Sequence, residues 1–200
     1  GNKMINAARI SAGILAAVSL FAAGSATAQA FGISEGTPIS QLKVTEDLGD
    51  DHYVIEPPAT NSEFESYVVI ATPQNGVCKV TGLGRDYEGD RSGISVTNTF
   101  NSMARTLTQK YGTPEHEFDF LHAGSIWNES YEWAAAVSRS QRTKSTFWTR
   151  AASRLPQDIN GIVLEVKASD SSTTYLRLSY EFSNFDACTE GSRNRDDSAL

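Results

Sequence analysis

Apolar and polar positions alternate most cleanly near the end of the chain. Ile162, Leu164, Val166 and Ala168 alternate with Val163, Glu165 and Lys167, and Leu176, Leu178, Tyr180 and Phe182 alternate with Tyr175, Arg177, Ser179 and Glu181. A period of two in both runs, broken by Ser169-Asp170-Ser171-Ser172, predicts a hairpin with one buried and one mostly polar face. A second hairpin is predicted from the β-rich run at 67–72 (YVVIAT), the Asn75-Gly76 turn and the return over 77–83, which puts Cys78 at the start of a strand.

The period changes in between. Phe100, Met103, Ala104, Leu107 and Tyr111 fall on one stripe of a helix over 96–111, with Asn101, Arg105, Thr108 and Gln109 opposite. Gly112 and Pro114 supply the stop. Gly36-Thr37-Pro38 predicts the start of a short entry helix within 31–44, turning Ile39 and Leu42 inward. The acidic stretch 45–51 reads as a loop, 52–56 as a strand stopped by Pro57-Pro58, and 59–65 as a polar connection. The glycines between 82 and 93 mark an irregular passage, 117–121 a short strand, alanine-rich 131–137 a helix of about ten residues, and 145–149 a strand. Residues 189–200 hold no large apolar group before Leu200 and read as a disordered tail. The sum is α+β: an antiparallel sheet packed by one long helix and one or two short ones. A weak internal repeat, helix then strands, starts near Gly36 and again near Ser95.

The first thirty residues belong to a different pattern. Lys3 and Arg9 precede an apolar run from Ile10 to Ala23, and small residues follow up to Ala28-Gln29-Ala30. This is the layout of a cleavable signal peptide, with a cut before Phe31 and Ala26-Thr27-Ala28 as a second site. The apolar run is shorter than the roughly 20 residues a spanning helix needs. The expected organisation is therefore a signal peptide over 1–30, a single domain over 31–188 and the tail over 189–200. The expected location is periplasmic or secreted, with no transmembrane span after cleavage. With Phe31 rather than a cysteine after the expected cut, no lipid anchor of the bacterial lipoprotein kind is expected.

Charge and cysteine content narrow the class. The chain has 17 Lys and Arg against 24 Asp and Glu, a net charge of −7, and the leader takes Lys3 and Arg9 with it. An acidic domain disfavours nucleic acid as a partner. Export to an oxidising compartment favours a bond between Cys78 and Cys188 over two buried thiols.

Two segments carry a resemblance. Gly36-Thr37-Pro38-Ile39-Ser40-Gln41-Leu42 resembles the entry helix of small periplasmic helix-plus-sheet modules, among them the β-lactamase-inhibitor-like proteins and the small lipoproteins of outer-membrane assembly. Phe100…Leu107 with Lys110-Tyr111-Gly112-Thr113-Pro114 resembles the helix end of such modules and of uncharacterised exported bacterial proteins. The resemblance covers about 25 residues, consists mostly of helix-capping signals, and implies an interaction module of the cell envelope. It transfers no functional residue.

Candidate chemistry is thin. Glu115-His116-Glu117-x-Asp119 is the densest ligand-like run, but on a strand His116 points away from Glu115, Glu117 and Asp119. Asp50-Asp51-His52 comes without a G-x-S-x-G elbow. Gly82-x-Gly84 lacks phosphate-loop spacing, and Asp86-x-Glu88-x-Asp90 lacks the calcium-loop pattern. Arg139, Arg142, Lys144 and Arg150, beside Trp133, Phe147 and Trp148, form the one basic run in an acidic chain. Arg139, Arg142, Lys144 and Trp148 are thus the candidate binding residues. No catalytic residue, metal or cofactor is assigned. The expected function is a non-catalytic binding module for a protein or an envelope polymer. The alternatives are a small envelope hydrolase with a site assembled from distant residues, or a carrier of a small apolar ligand held between helix and sheet.

Overall fold

The structure, a computed structural model, describes residues 27–198. The apolar leader run therefore lies outside the described residues. The chain begins with a tiny hairpin, β1 (Gln29–Ala30) and β2 (Ile33–Ser34), then runs through β3 (Lys43–Gly49), β4 (His52–Glu56), β5 (Phe64–Thr72) and β6 (Gly76–Gly84). Helix α1 (Ile94–Tyr111) leads to β7 (His116–Leu121), α2 (Trp133–Ser138), β8 (Arg142–Thr149), β9 (Ile159–Ala168), β10 (Thr174–Phe182) and α3 (Phe185–Ser198).

Eight strands form one antiparallel sheet in the order β3-β4-β5-β6-β10-β9-β8-β7. It consists of two four-stranded meanders joined where their last strands, β6 and β10, pair through Tyr180↔Val80 and Leu178↔Gly82. The weak repeat read in the sequence corresponds to these two meanders. Both predicted hairpins are present, with Val69 opposite Val80 and Leu178 opposite Leu164. The α+β class is that of the structure.

One face of the sheet is covered. Ile162, Leu164, Val166, Leu176, Leu178 and Phe182 are buried on it, and α1 and α2 both pack against β9. Phe100, Leu107 and Tyr111 of the predicted stripe are buried, along with Val96. The N-terminal segment covers the other half: the Phe31 ring lies 5.4 Å from that of Phe64, 4.8 Å from Tyr67 and 5.8 Å from Tyr180. Burial pushes the Tyr180 phenol well above its ordinary range, and neighbouring Tyr111 adds to the shift.

The start of α1 is tied to the sheet by one carboxylate. Asp90, buried, accepts the backbone N–H groups of Ser95 (2.9 Å) and Val96 (3.0 Å) and the Thr174 hydroxyl (2.8 Å). Gly93 takes φ +69° just before the helix, and a Cβ there would run into the Trp133 ring. Asp90→Ala is expected to cost about 2–3 kcal/mol, through a lost cap and unpaired buried donors. Asp90→Asn should lose less. Equilibrium urea unfolding checks both, and an unchanged midpoint for Asp90→Ala would contradict the role.

Three expectations are corrected, and the surroundings of a fourth are defined. The entry helix is a single 3-10 turn, Ile39–Gln41, because the chain is drawn at once into β3. The acidic stretch expected as a loop is mostly β3, an edge strand exposed along its whole length, so its acids stay solvated while its backbone pairs with β4. The expected domain start at Phe31 falls inside a hairpin. Ala30 is 1 % exposed and pairs with Ile33, and the Ala28 N–H donates to Asp158 Oδ2 at 2.7 Å. The expected disordered tail is helical through Ser198. Its start is clamped: Asn184 Nδ2 donates to the Asn75 and Val77 carbonyls (3.0 and 3.1 Å), and Glu35 accepts the Asn184 N–H. The Cys78–Cys188 disulfide, Cα atoms 6.6 Å apart, fixes the first turn of α3, and Arg195 pairs with Asp51 further along.

Candidate functional site

The opposite face of the sheet is built from the polar alternates. Direct cross-strand partners interact on it: Lys79 with Glu181 at 3.1 Å, Thr81 with Ser179 at 3.0 Å, and Arg177 with Glu165 at 2.6 Å. With Phe147 and Val163, all of these residues except Glu181 line a shallow hollow of about 260 Å³. Helix α3 touches β5 and β6 at one corner, while α1 and α2 lie on the other face.

At the β7 end this face becomes aromatic. β7 pairs with β8 in an unbroken register that sets His116 opposite Phe147, Phe118 opposite Ser145 and Phe120 opposite Thr143. Successive rings touch along the strand: His116 to Phe118 at 5.8 Å, Phe118 to Phe120 at 6.2 Å and Phe120 to His122 at 5.0 Å. Phe147 of β8 completes the row, 5.8 Å from Phe118. Phe118 and Phe120 are 40 % and 43 % exposed.

The other face of β7 is acidic. Glu117 lies opposite Thr146 and Asp119 opposite Lys144. Asp119 accepts from Arg142 (3.1 Å) and from Lys144 (2.9 Å), and the Lys144 ammonium sits 4.8 Å from the centre of the Phe100 ring. Between α1 and β7–β8 runs an open groove of about 580 Å³, with Phe100, Ala104, Arg105, Thr108, Glu117 and Asp119 in its walls. This is the space where a small apolar ligand was expected between helix and sheet, and its lining mixes apolar and charged groups.

The four candidate binding residues do not make one surface. Trp148 is fully buried, and its indole N–H donates to the Gly112 carbonyl at 3.1 Å. Its place on a binding surface is therefore corrected: β8 turns it to the helix-covered face. Lys144 is 9 % exposed and bound to Asp119. Arg142 shares Asp119 and lies over the Trp133 ring at 5.7 Å. Arg139 stacks on Trp127 at 4.2 Å and donates to the Ala135 carbonyl at the end of α2. Most of the basic run thus serves contacts within the fold.

The other polar clusters are spread out. His116 faces away from Glu117 and Asp119, as the alternation required, but lies 3.8 Å from Glu115, which was expected to point away from it and instead precedes the strand. His52 Nδ1 is 2.7 Å from the Asp50 carbonyl oxygen, and Asp51 holds Arg195. Asp90 turns inward as a helix cap, away from exposed Asp86 and Glu88. Among the described residues, no three His, Cys, Asp or Glu side chains are grouped to hold a metal ion, and no helix is long and apolar enough to cross a membrane.

Phe118 and Phe120 did not stand out in the sequence. The available signal was the alternation His-Glu-Phe-Asp-Phe-Leu over 116–121, which puts aromatics and acids on opposite faces wherever the strand lies. Its position at the sheet edge is a matter of topology. Comparison of the chain with protein-family models, with curated proteins and with solved structures finds no match.

Proposed function

We propose that this chain is an exported, non-catalytic binding module that holds a protein partner on the open face of its sheet. The observation that carries this reading is the aromatic row His116, Phe118, Phe120 and Phe147, which stands half-exposed on the face that α1 and α2 leave uncovered. Apolar clusters of this kind mark interaction surfaces. The hollow lined by Lys79, Phe147, Glu165 and Arg177 continues the same face with paired charges that set register more than affinity. The resemblance to envelope interaction modules points the same way.

Export is supported by the N-terminal leader pattern and the Cys78–Cys188 disulfide. Strand Gln29–Ala30, with Ala30 buried and paired to Ile33, favours the second cleavage site, after Ala28, because a cut after Ala30 removes that strand and its core alanine. Protein purified from its host's envelope is expected to begin at Gln29 by intact mass. It should carry a partner, retained after chemical cross-linking, that Phe118→Ser/Phe120→Ser loses. A mass starting at Phe31 would overturn the revised cut, and an uncut chain would overturn export. Equal retention of the partner by the double variant would remove the aromatic row from the binding surface.

A further inference from the structure

We infer that the open face of the sheet is the contact surface of a symmetric dimer, in which a second copy of this chain packs its own open face against it. This deepens the binding-module reading, rests on it, and names the partner. The face is organised about one row. Direct ladder partners align Val54, Val68, Thr81, Ser179, Val163 and Phe147 across the six strands that run from β4 to β8 in sheet order. None of the six is charged. The two hydroxyls bond each other at 3.0 Å, so both keep a partner when the row is covered.

The charges that flank this row match themselves. On β10, Glu181 lies two residues to one side of Ser179 and Arg177 two residues to the other. A two-fold axis laid along the row, across the strands, turns each strand end for end over its own copy. Glu181 then falls opposite Arg177 of the second copy, and Arg177 opposite its Glu181. Lys79, beside Glu181, falls over Leu83, and Glu165, beside Arg177, falls over Gly161, so no like charges meet. Two cations and two carboxylates cancel here, in a chain of −7, and two copies can close without the repulsion between their acidic remainders. An isologous contact requires such mirrored charges about an uncharged row; a foreign chain does not.

Helix α3 fits the same axis. It stands at one end of the strands only: the Phe185 ring lies 5.3 Å from the Lys79 ammonium, Asn184 caps the β5–β6 turn, and Arg195 reaches Asp51 just before β4. The axis carries the second copy's α3 to the opposite end, so the two helices flank the contact and do not collide. The area is sufficient. Eight strands about 4.8 Å apart, each showing about 20 Å of its length, make a face of roughly 800 Å², what each partner contributes to a stable interface. Phe118 and Phe120 stand at one margin, where twisted sheets splay and only long side chains bridge the gap. Glu46, opposite Val54 on exposed β3, stays in water at the other.

Sedimentation velocity of the full chain should show a dimer at micromolar concentration. Val163→Asp and Val68→Asp each place a carboxylate on the axis, against its own copy, and should weaken self-association on the order of a hundredfold. Both positions are half-exposed, and circular dichroism checks that the variants fold. Cross-linking reads the symmetry with no charge added. Val163→Cys faces its own mate and should be joined by a short bismaleimide, whereas Leu48→Cys, 52 % exposed on outer strand β3, should not. A monomer throughout the micromolar range, a dimer indifferent to both aspartates, or equal cross-linking of the two cysteine variants would overturn the proposal. If the chain is monomeric while an envelope partner is still lost in Phe118→Ser/Phe120→Ser, the dimer falls and the binding-module reading stands.

Discussion

Trp148→Ala is expected to destabilise the protein by about 3–5 kcal/mol, the range for removing a large buried aromatic. The residue is fully buried in β8, and its ladder partner Ile162 is fully buried as well. Truncation leaves a cavity that strands paired on both sides of β8 cannot close. It also strands the Gly112 carbonyl, which accepts the indole N–H where α1 ends. Trp148→Phe keeps most of the volume and loses the hydrogen bond, so it should fall between wild type and alanine. Urea unfolding followed by circular dichroism separates the three. An alanine variant within about 1 kcal/mol of wild type would show that the site collapses freely.

Loss of the disulfide should be nearly as costly. Cys78 and Cys188 are 110 positions apart, and a loop of that length is worth about 4–5 kcal/mol in the chain-entropy account, with about 2–4 kcal/mol typical of measurements. Cys78→Ala/Cys188→Ala is expected to lose about 2–4 kcal/mol. Wild type in reductant should lose a similar amount, while the double variant should not respond to reductant. The damage should be local first: α3 is held by the bridge, by Asn184 at the β5–β6 turn and by Arg195 on Asp51. Limited proteolysis should therefore cut α3 of the variant before the sheet opens. Identical unfolding midpoints with and without the bridge would contradict this.

What the sequence revealed was set by how local each signal is. The hairpins over 67–83 and 162–182 and the helix ending at Tyr111 were legible because period, turn residues and stop signals all lie within one segment. β3 was hidden because both its faces are solvated, so its strand character rests on pairing with β4 alone. Helix α3 was hidden because its composition is polar and its anchors, Cys78, Asn75 and Asp51, are far away in the chain. At the candidate site, the sequence pointed to β8 and its cations, next door to the edge. It could not show that Lys144 and Arg142 turn to Asp119 or that Trp148 turns inward, since depth depends on which strands flank β8. The Glu117/Asp119 alternation against His116 was read correctly, but its place on the rim of the sheet was not.

The junction of the two meanders has a consequence for how the chain reaches its native state. β6 is complete by Gly84, yet its central partner β10 does not begin until Thr174. Within each meander consecutive strands pair, even across the α2-bearing link from Leu121 to Arg142, whereas the seam between the meanders joins residues on the order of a hundred positions apart and is entropically the last to form. Until β10 arrives, β6 is a bare inner edge carrying Val77 and Val80, the kind of surface on which half-made chains stick to one another. The first meander must therefore wait, open-sided, for nearly the whole of the second to emerge, and any truncation upstream of Thr174 should leave a fragment that self-associates and does not fold.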